Sequence, residues 1–291
     1  MPSGEKTPSP CGYSPFQVGE SIRKGNYIRQ IMTITLLQQD TLWMDWKANL
    51  SKATQAIRRA PGSDLYLLPE MFTTAFLTVP PPQSAYIHDH ALDWMRQQAD
   101  EAHAAICGSM VAPMPHGKYA NRMYFVCPDG TIHHYDKSHL YKYGGEGEWY
   151  VPGEQRVIVD YRGAKILLEI CYDLQFPMWC RNNVDSTGNI LYDIIVYSAN
   201  YPTARHQAFE TLPIARAIEN QCYVAIANRI GSDQWGTYYG GSRIIHPYGD
   251  IIAQGTDNEE CEVTGTIDLP SLHRYRKKYP VLQDIIWNKF F

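Results

Sequence analysis

The sequence predicts a single α/β domain over residues 31–291, a mixed sheet system covered by helices. From Met32 onward, short β-rich runs alternate with stretches of helical period, and no Pro/Gly/Ser-rich linker or low-complexity segment interrupts them. A chain of 291 residues with 44% hydrophobic side chains is also long enough to bury a substantial core. Residues 1–30 differ, carrying Pro, Ser, Gly and Lys without apolar periodicity, and they are expected to be a poorly ordered extension. Met32 is the expected natural start, which the intact mass of the protein made in its own host would test.

Each element has its own local reason. Residues 31–38 read as a strand, and 46–59 carry apolar side chains at helical spacing. The run 65–68 is short, continuous and apolar, a buried strand that ends at Pro69-Glu70. Residues 91–101 return to helical period and 104–110 to strand. Strands over 122–127 and 131–135 flank Pro128-Asp129-Gly130, a turn composition that joins them as a hairpin and delivers Lys137 soon after the second. A second hairpin spans 157–161 and 165–170 about Arg162-Gly163 and ends at Cys171. Pro177 suits a first helical turn, because its missing N–H needs no partner there, so a helix is expected to begin near it. Strands over 190–198 and 223–228 bracket a helix over 206–220, which Pro213 should kink or restart. Further strands fall at 242–245, 250–253 and 263–267. The C-terminal IIWNKFF is apolar enough to need cover, from its own domain or from a second subunit.

Composition narrows the partners. Twenty-six basic against 30 acidic residues give a net charge of −4 with the basic residues scattered, so there is no footprint for nucleic acid or an anionic membrane. No apolar run approaches the roughly 18 residues of a membrane span, and no signal-peptide core precedes residue 30. The seven cysteines contain no Cys-x-x-Cys pair and no zinc-like spacing with His. Free thiols in a reducing, cytoplasmic setting are expected, with no metal site, no cofactor and a small-molecule partner.

Glu70, Lys137 and Cys171 share one placement, just beyond a strand-like run. In α/β proteins sites form beyond the carboxyl ends of strands, so the three can converge. A carboxylate can take a thiol's proton and return it to a leaving amine, while an ammonium stabilises the oxyanion on an attacked carbonyl. A thiol at a strand end before a helix would also feel the positive helix terminus, which favours the thiolate. Taken singly, each residue has a plainer reading: an inert buried Cys, a capping Glu, a surface Lys. A Cys–His pair with His139, His206 or His246 as base is a competing chemistry on residue types alone.

The segments LLPEMF, YDKSHLY and ICYDLQFP, in this order, resemble the three signature boxes of the nitrilase superfamily of carbon–nitrogen hydrolases. The run SANYPTARHQAFETLPIARAIENQCYVAIANRIG resembles its fourth conserved region, and roughly residues 32–287 are similar to the omega-amidase branch. The resemblance implies a four-layer α-β-β-α sandwich that pairs with a second subunit into a homodimer, and it implies hydrolysis of the terminal amide of dicarboxylic acid monoamides such as 2-oxoglutaramate. It puts the family's glutamate on Glu70, its lysine on Lys137 and its nucleophile on Cys171. The backbone N–H of Tyr172 falls on the oxyanion donor, and a second, supporting glutamate falls on Glu146, with Glu148 close by. The box usually reads CYDLRFP; here Gln175 stands at the Arg position.

For substrate binding, an omega-amide with a far carboxylate needs a cation away from the trio. Arg205 is the candidate because a guanidinium grips carboxylate with two parallel N–H donors. Phe72, Phe176, Asn200 and Tyr201 are expected to line the pocket, and Trp235 to close over it from a Gly-flanked loop. The same trio also suits a nitrilase or an N-carbamoyl amine hydrolase. A catalytically silent binding protein on this fold is the reading from another class, and the intact trio counts against it.

Overall fold

The computed structural model describes residues 31–285. Residues 1–30 and the end of the apolar tail lie outside them. In chain order the elements are strand β1 (Ile31–Gln38), helix α1 (Trp46–Arg59), β2 (Leu65–Leu67), α2 (Ser84–Ala102), β3 (Ala105–Pro113), β4 (Tyr119–Val126) and β5 (Ile132–Asp136). Then come β6 (Ile158–Tyr161), β7 (Ala164–Ile170), β8 (Ile194–Ser198), α3 (His206–Glu219), β9 (Tyr223–Ala227), β10 (Ile230–Asp233) and β11 (Gly236–Tyr239). The chain closes with β12 (Arg243–Ile245), β13 (Ile251–Gln254), β14 (Cys261–Asp268) and α4 (Leu269–Lys278).

These form two six-stranded sheets, in the orders β14-β1-β2-β3-β4-β5 and β13-β12-β9-β8-β7-β6. The alternation of side chains along the strands explains how they stack. Met32, Ile34 and Leu36 of β1, with Leu65 and Leu67 of β2, face a core shared with Ile166, Leu168 and Ile170 of β7 and Val196 of β8. The intervening Leu37, Tyr66 and Ile106 face outward, onto Leu50, Ala53 and Ile57 of α1 and Ala91, Met95 and Ala99 of α2. On the far side Phe209 and Ala217 of α3 and Leu269 and Leu272 of α4 complete the same shared core. The result is the four-layer α-β-β-α sandwich in one domain. Among the described residues no helix is long and apolar enough to cross a membrane.

Three local expectations are corrected, and one helix is added. No helix starts at Pro177; the chain makes a short 3-10 turn at Cys171–Gln175 and then further turns. Helix α3 runs on through Pro213; its packed apolar face outweighs the one backbone bond that Pro removes. Residues 190–193 are not part of β8, and the charged stretch after β14, which lacks a strong apolar pattern, forms α4. That helix is held by Arg276, which donates to Asp193 Oδ1 at 2.6 Å and to the Gln221 and Tyr192 carbonyls at 2.8 Å each. The hairpin β10–β11 has no counterpart in the sequence reading.

The two sheets are stitched together at one end. Ser198 Oγ donates to the Leu68 carbonyl at 2.7 Å, and the Glu70 N–H donates to the Ala199 carbonyl at 3.1 Å. These bonds fix the end of β2 in one sheet against the end of β8 in the other. Since β8 pairs in parallel with β7, the segment after β7 is fixed as well.

Candidate active site

Glu70, Lys137 and Cys171 meet at that stitched end. Lys137 Nζ lies 2.7 Å from Glu70 Oε1 and 3.0 Å from Glu146 Oε2, and all three side chains are at most 1% exposed. Asn121, from the middle of β4, donates to Glu70 Oε1 at 2.8 Å and to Glu146 Oε1 at 3.0 Å, so one amide bridges both carboxylates. Glu146 Oε2 also accepts the Tyr141 N–H at 2.6 Å. Glu148 is exposed, so it is Glu146 that reaches the lysine.

Cys171 is the residue immediately after β7, and its backbone adopts φ 39°, a left-handed conformation that a non-glycine residue takes up only when its surroundings hold it there. The hold is Asp173. Its buried carboxylate accepts from the Ile170 N–H at 3.1 Å, the Tyr135 hydroxyl at 2.8 Å, and both the backbone N–H and Nδ1 of His139, at 2.9 and 2.8 Å. Asp173 therefore ties the segment carrying Cys171 to the segment carrying Lys137. His139 is thereby committed to Asp173 and stacked on Phe176 at 3.7 Å, which removes it as a base for the thiol.

Burial sets the charge states. It would lower Lys137, but the Glu146 and Glu70 carboxylates outweigh it and hold the ammonium above its ordinary value. Burial raises Glu70 above the ordinary carboxylate range, against the opposing pull of Lys137. Burial and the Glu70 charge raise the Cys171 thiol well above the usual range. The expectation of a thiolate favoured by a helix terminus is thus corrected: a five-residue 3-10 turn supplies too little dipole to offset desolvation. The resting group is a thiol beside a base.

The trio forms the floor of a cavity of about 200 Å³. Tyr172, Asn200, Tyr201 and Arg205 all line it, as does Trp235, whose hairpin tip meets the Phe76 ring edge-on at 6.3 Å. Two expected lining residues do not. Phe72 is turned away by the left-handed backbone of Met71 (φ 47°) and packs under α2 against Trp94 at 5.7 Å. Phe176 is drawn out of the cavity by its stacking on His139. The aromatic wall is instead Phe76, 5.3 Å from Lys137 Nζ, with Tyr141, Tyr143 and Tyr238. Tyr141 and Asp173 lie inside the quoted boxes, so their neighbourhood was legible; Phe76 and Asn121 carried no signal of their own.

Gln175 donates its side-chain amide to the Tyr201 hydroxyl. A guanidinium still braces this turn, since Arg216 of α3 donates to the Leu174 carbonyl at 2.7 Å.

Residues 33–277 match the carbon–nitrogen hydrolase family. The chain belongs to that family. It is 41% identical over 254 residues to the omega-amidase YafV of Escherichia coli, covering 87% of this chain and 96% of that protein. It is 32% identical over 256 residues to the 2-oxoglutaramate amidase of Bacillus subtilis, covering 87% and 97%. Among solved structures, a carbon–nitrogen hydrolase superfamily protein of Xanthomonas campestris, with an arsenic adduct in its active site, superposes with a TM-score of 0.82 at 35% identity. That alignment covers 88% of this chain and 97% of the other.

The raised Glu70 has a measurable consequence for a hydrolase of this family. For Glu70 to take the thiol's proton, the role proposed below, it must be ionised, so activity is expected above its folded-state pKa and should be lost as pH falls through it. The acid limb of kcat/KM is expected above about 4.3, the ordinary Glu value. Glu146→Gln removes a negative charge that raises Glu70 and should move the limb to lower pH; an unmoved limb contradicts this electrostatic picture.

Proposed function

We propose that this hydrolase is a cysteine-dependent amidohydrolase releasing ammonia from the terminal amide of small dicarboxylic acid monoamides, with 2-oxoglutaramate-like compounds as substrates. The observation that carries the reading is the cavity's charge layout. A thiol, a base and an ammonium occupy the floor, aromatic rings form the walls, and a second cation, Arg205, sits at the mouth. The omega-amidase and 2-oxoglutaramate amidase relatives support it.

The steps balance on named residues. Glu70 takes the Cys171 proton as sulfur bonds to the amide carbon, and the oxyanion is held by Lys137 and the Tyr172 N–H. The intermediate collapses, the C–N bond breaks, and Glu70 returns the proton to the departing nitrogen as ammonia. Glu70 then takes a proton from water as its oxygen attacks the thioester. The C–S bond breaks, the acid product leaves, and the thiol is restored. Glu146 and Asn121 support Lys137 and Glu70 throughout.

Arg205 holds the far carboxylate of the substrate. Its guanidinium lies 5.5 Å from the Tyr141 ring centroid, and Nη2 donates to the Tyr141 hydroxyl at 3.4 Å, which orients it at the rim. The free state of all six cysteines among the described residues supports a reducing, cytoplasmic setting.

A homodimer is also part of this reading. Half-exposed Ile218, Tyr279 and Val281 form one apolar face, joined where Gln221, just past α3, donates to the Tyr279 carbonyl at 2.8 Å. A second copy covering this face accounts for its exposure. Sedimentation should give twice the 33.3 kDa chain mass and Ile218→Glu should lower it; a monomeric parent would end the dimer assignment.

Substrate choice is tested by ammonia release from succinamate and butyramide. Arg205→Ala should raise KM for succinamate about 10- to 100-fold, the worth of a hydrogen bond to a charged group, and leave butyramide unchanged. An unchanged KM for succinamate removes Arg205 from the binding site.

A further inference from the structure

The cavity wall contains a polar side chain that the protein leaves unmet. Asn200, two residues past β8, is 6% exposed and lines the cavity, and neither its Oδ1 nor its Nδ2 has a hydrogen-bond partner. Buried side-chain amides are ordinarily paired, so one left open toward a cavity is a group waiting for a ligand. It is also next to the chemistry, because it lines the same cavity as Glu70, Lys137 and Cys171.

We propose that Asn200 recognises the nitrogen end of a primary amide, its side-chain oxygen accepting one of the two substrate N–H bonds. The inference rests on the amidohydrolase reading above and names the class of substrate nitrogen that site takes. An acceptor census leads to it. A primary amide brings two N–H donors, and each loses a water partner on entering the cavity. Lys137 has only donors. Glu70 Oε1 already accepts from Lys137 and Asn121, at 2.7 and 2.8 Å, and its other oxygen is engaged by the proton that the reaction moves. The Tyr201 hydroxyl accepts from Gln175, and the Tyr238 hydroxyl donates to Asp233 at 3.2 Å. Asn200 supplies the second acceptor through Oδ1, and with neither amide atom bonded to the protein the side chain is free to turn that oxygen toward the substrate.

Holding one N–H fixes the rotation of the NH₂ group, so the nitrogen lone pair that forms in the tetrahedral intermediate faces Glu70, the proton donor for C–N cleavage. A nitrile carries no N–H, and the alkoxide leaving group of an ester carries none, so neither gains from this contact. Asn200 thus selects a primary amide over both.

Succinamate and monomethyl succinate separate the contact from the rest of the reaction, since both deliver the same acyl group to Cys171. Ammonia and methanol release are measured for the native enzyme, Asn200→Ala and Asn200→Ser. The amide-to-ester ratio of kcat/KM should fall about 10- to 100-fold in Asn200→Ala, the cost of leaving one buried N–H donor unsatisfied, and less in Asn200→Ser. Near-UV circular dichroism matching the native enzyme verifies the fold of each variant, and the Ser variant carries the test if the Ala variant does not fold. Equal losses on amide and ester, or no loss on the amide, overturn the role of Asn200. A native enzyme that releases neither product overturns the amidohydrolase reading along with it.

Discussion

One ammonium held almost completely out of water governs this structure. Lys137 is tolerable there only because two carboxylates and the Asn121 amide surround it; a buried charge with one partner removed costs several kcal/mol. The group of two carboxylates and one ammonium carries a net negative charge, and burial raises both Glu70 and the neighbouring thiol. Cys171 consequently rests as a thiol, and its proton has an adjacent acceptor in Glu70. The requirement for this charge cluster explains the sandwich's stitched end. Glu70 and Cys171 follow strands of different sheets, and the Ser198–Leu68, Ser109–Ser198 and Glu70–Ala199 bonds help hold those sheets in register beside the site.

Asp173 does for the orientation of the site what Lys137 does for its charge. With four donors from two segments on one buried carboxylate, it holds Cys171 in a left-handed backbone that the residue would otherwise leave. The cavity above the floor is aromatic and poor in charge. Arg205 at the rim is the cation that the proposed function assigns to a substrate carboxylate, with Lys137 and Cys171 left for the amide end.

The strand ends were legible because short apolar runs that stop at Glu70 and Cys171, or just before Lys137, need no knowledge of tertiary packing. The layered architecture followed from the resemblance rather than from periodicity. What was misjudged depended on backbone direction. Phe72 lies two residues past Glu70 and Phe176 four past Tyr172, yet Met71's positive φ and the stacking on His139 send both rings elsewhere. Pro177 gave a sound helix-start signal with no helix behind it, because the turn is organised by Asp173 rather than by a helical hydrogen-bond ladder. Hairpin β10–β11 is held largely by the buried pair of Arg229 with Asp233, at 2.6 Å, which is a tertiary feature with little local pattern. The census of unmet polar atoms that picks out Asn200 exists only in three dimensions.

The central claim is that Cys171 carries the acyl group in a reaction whose protons pass through Glu70. Ammonia release by folded Cys171→Ala, against the parent on the same amide, tests it most directly. The account predicts a loss on the order of 10⁴-fold or more, the scale seen when a covalent nucleophile is removed. Activity retained within about tenfold of the parent would contradict it.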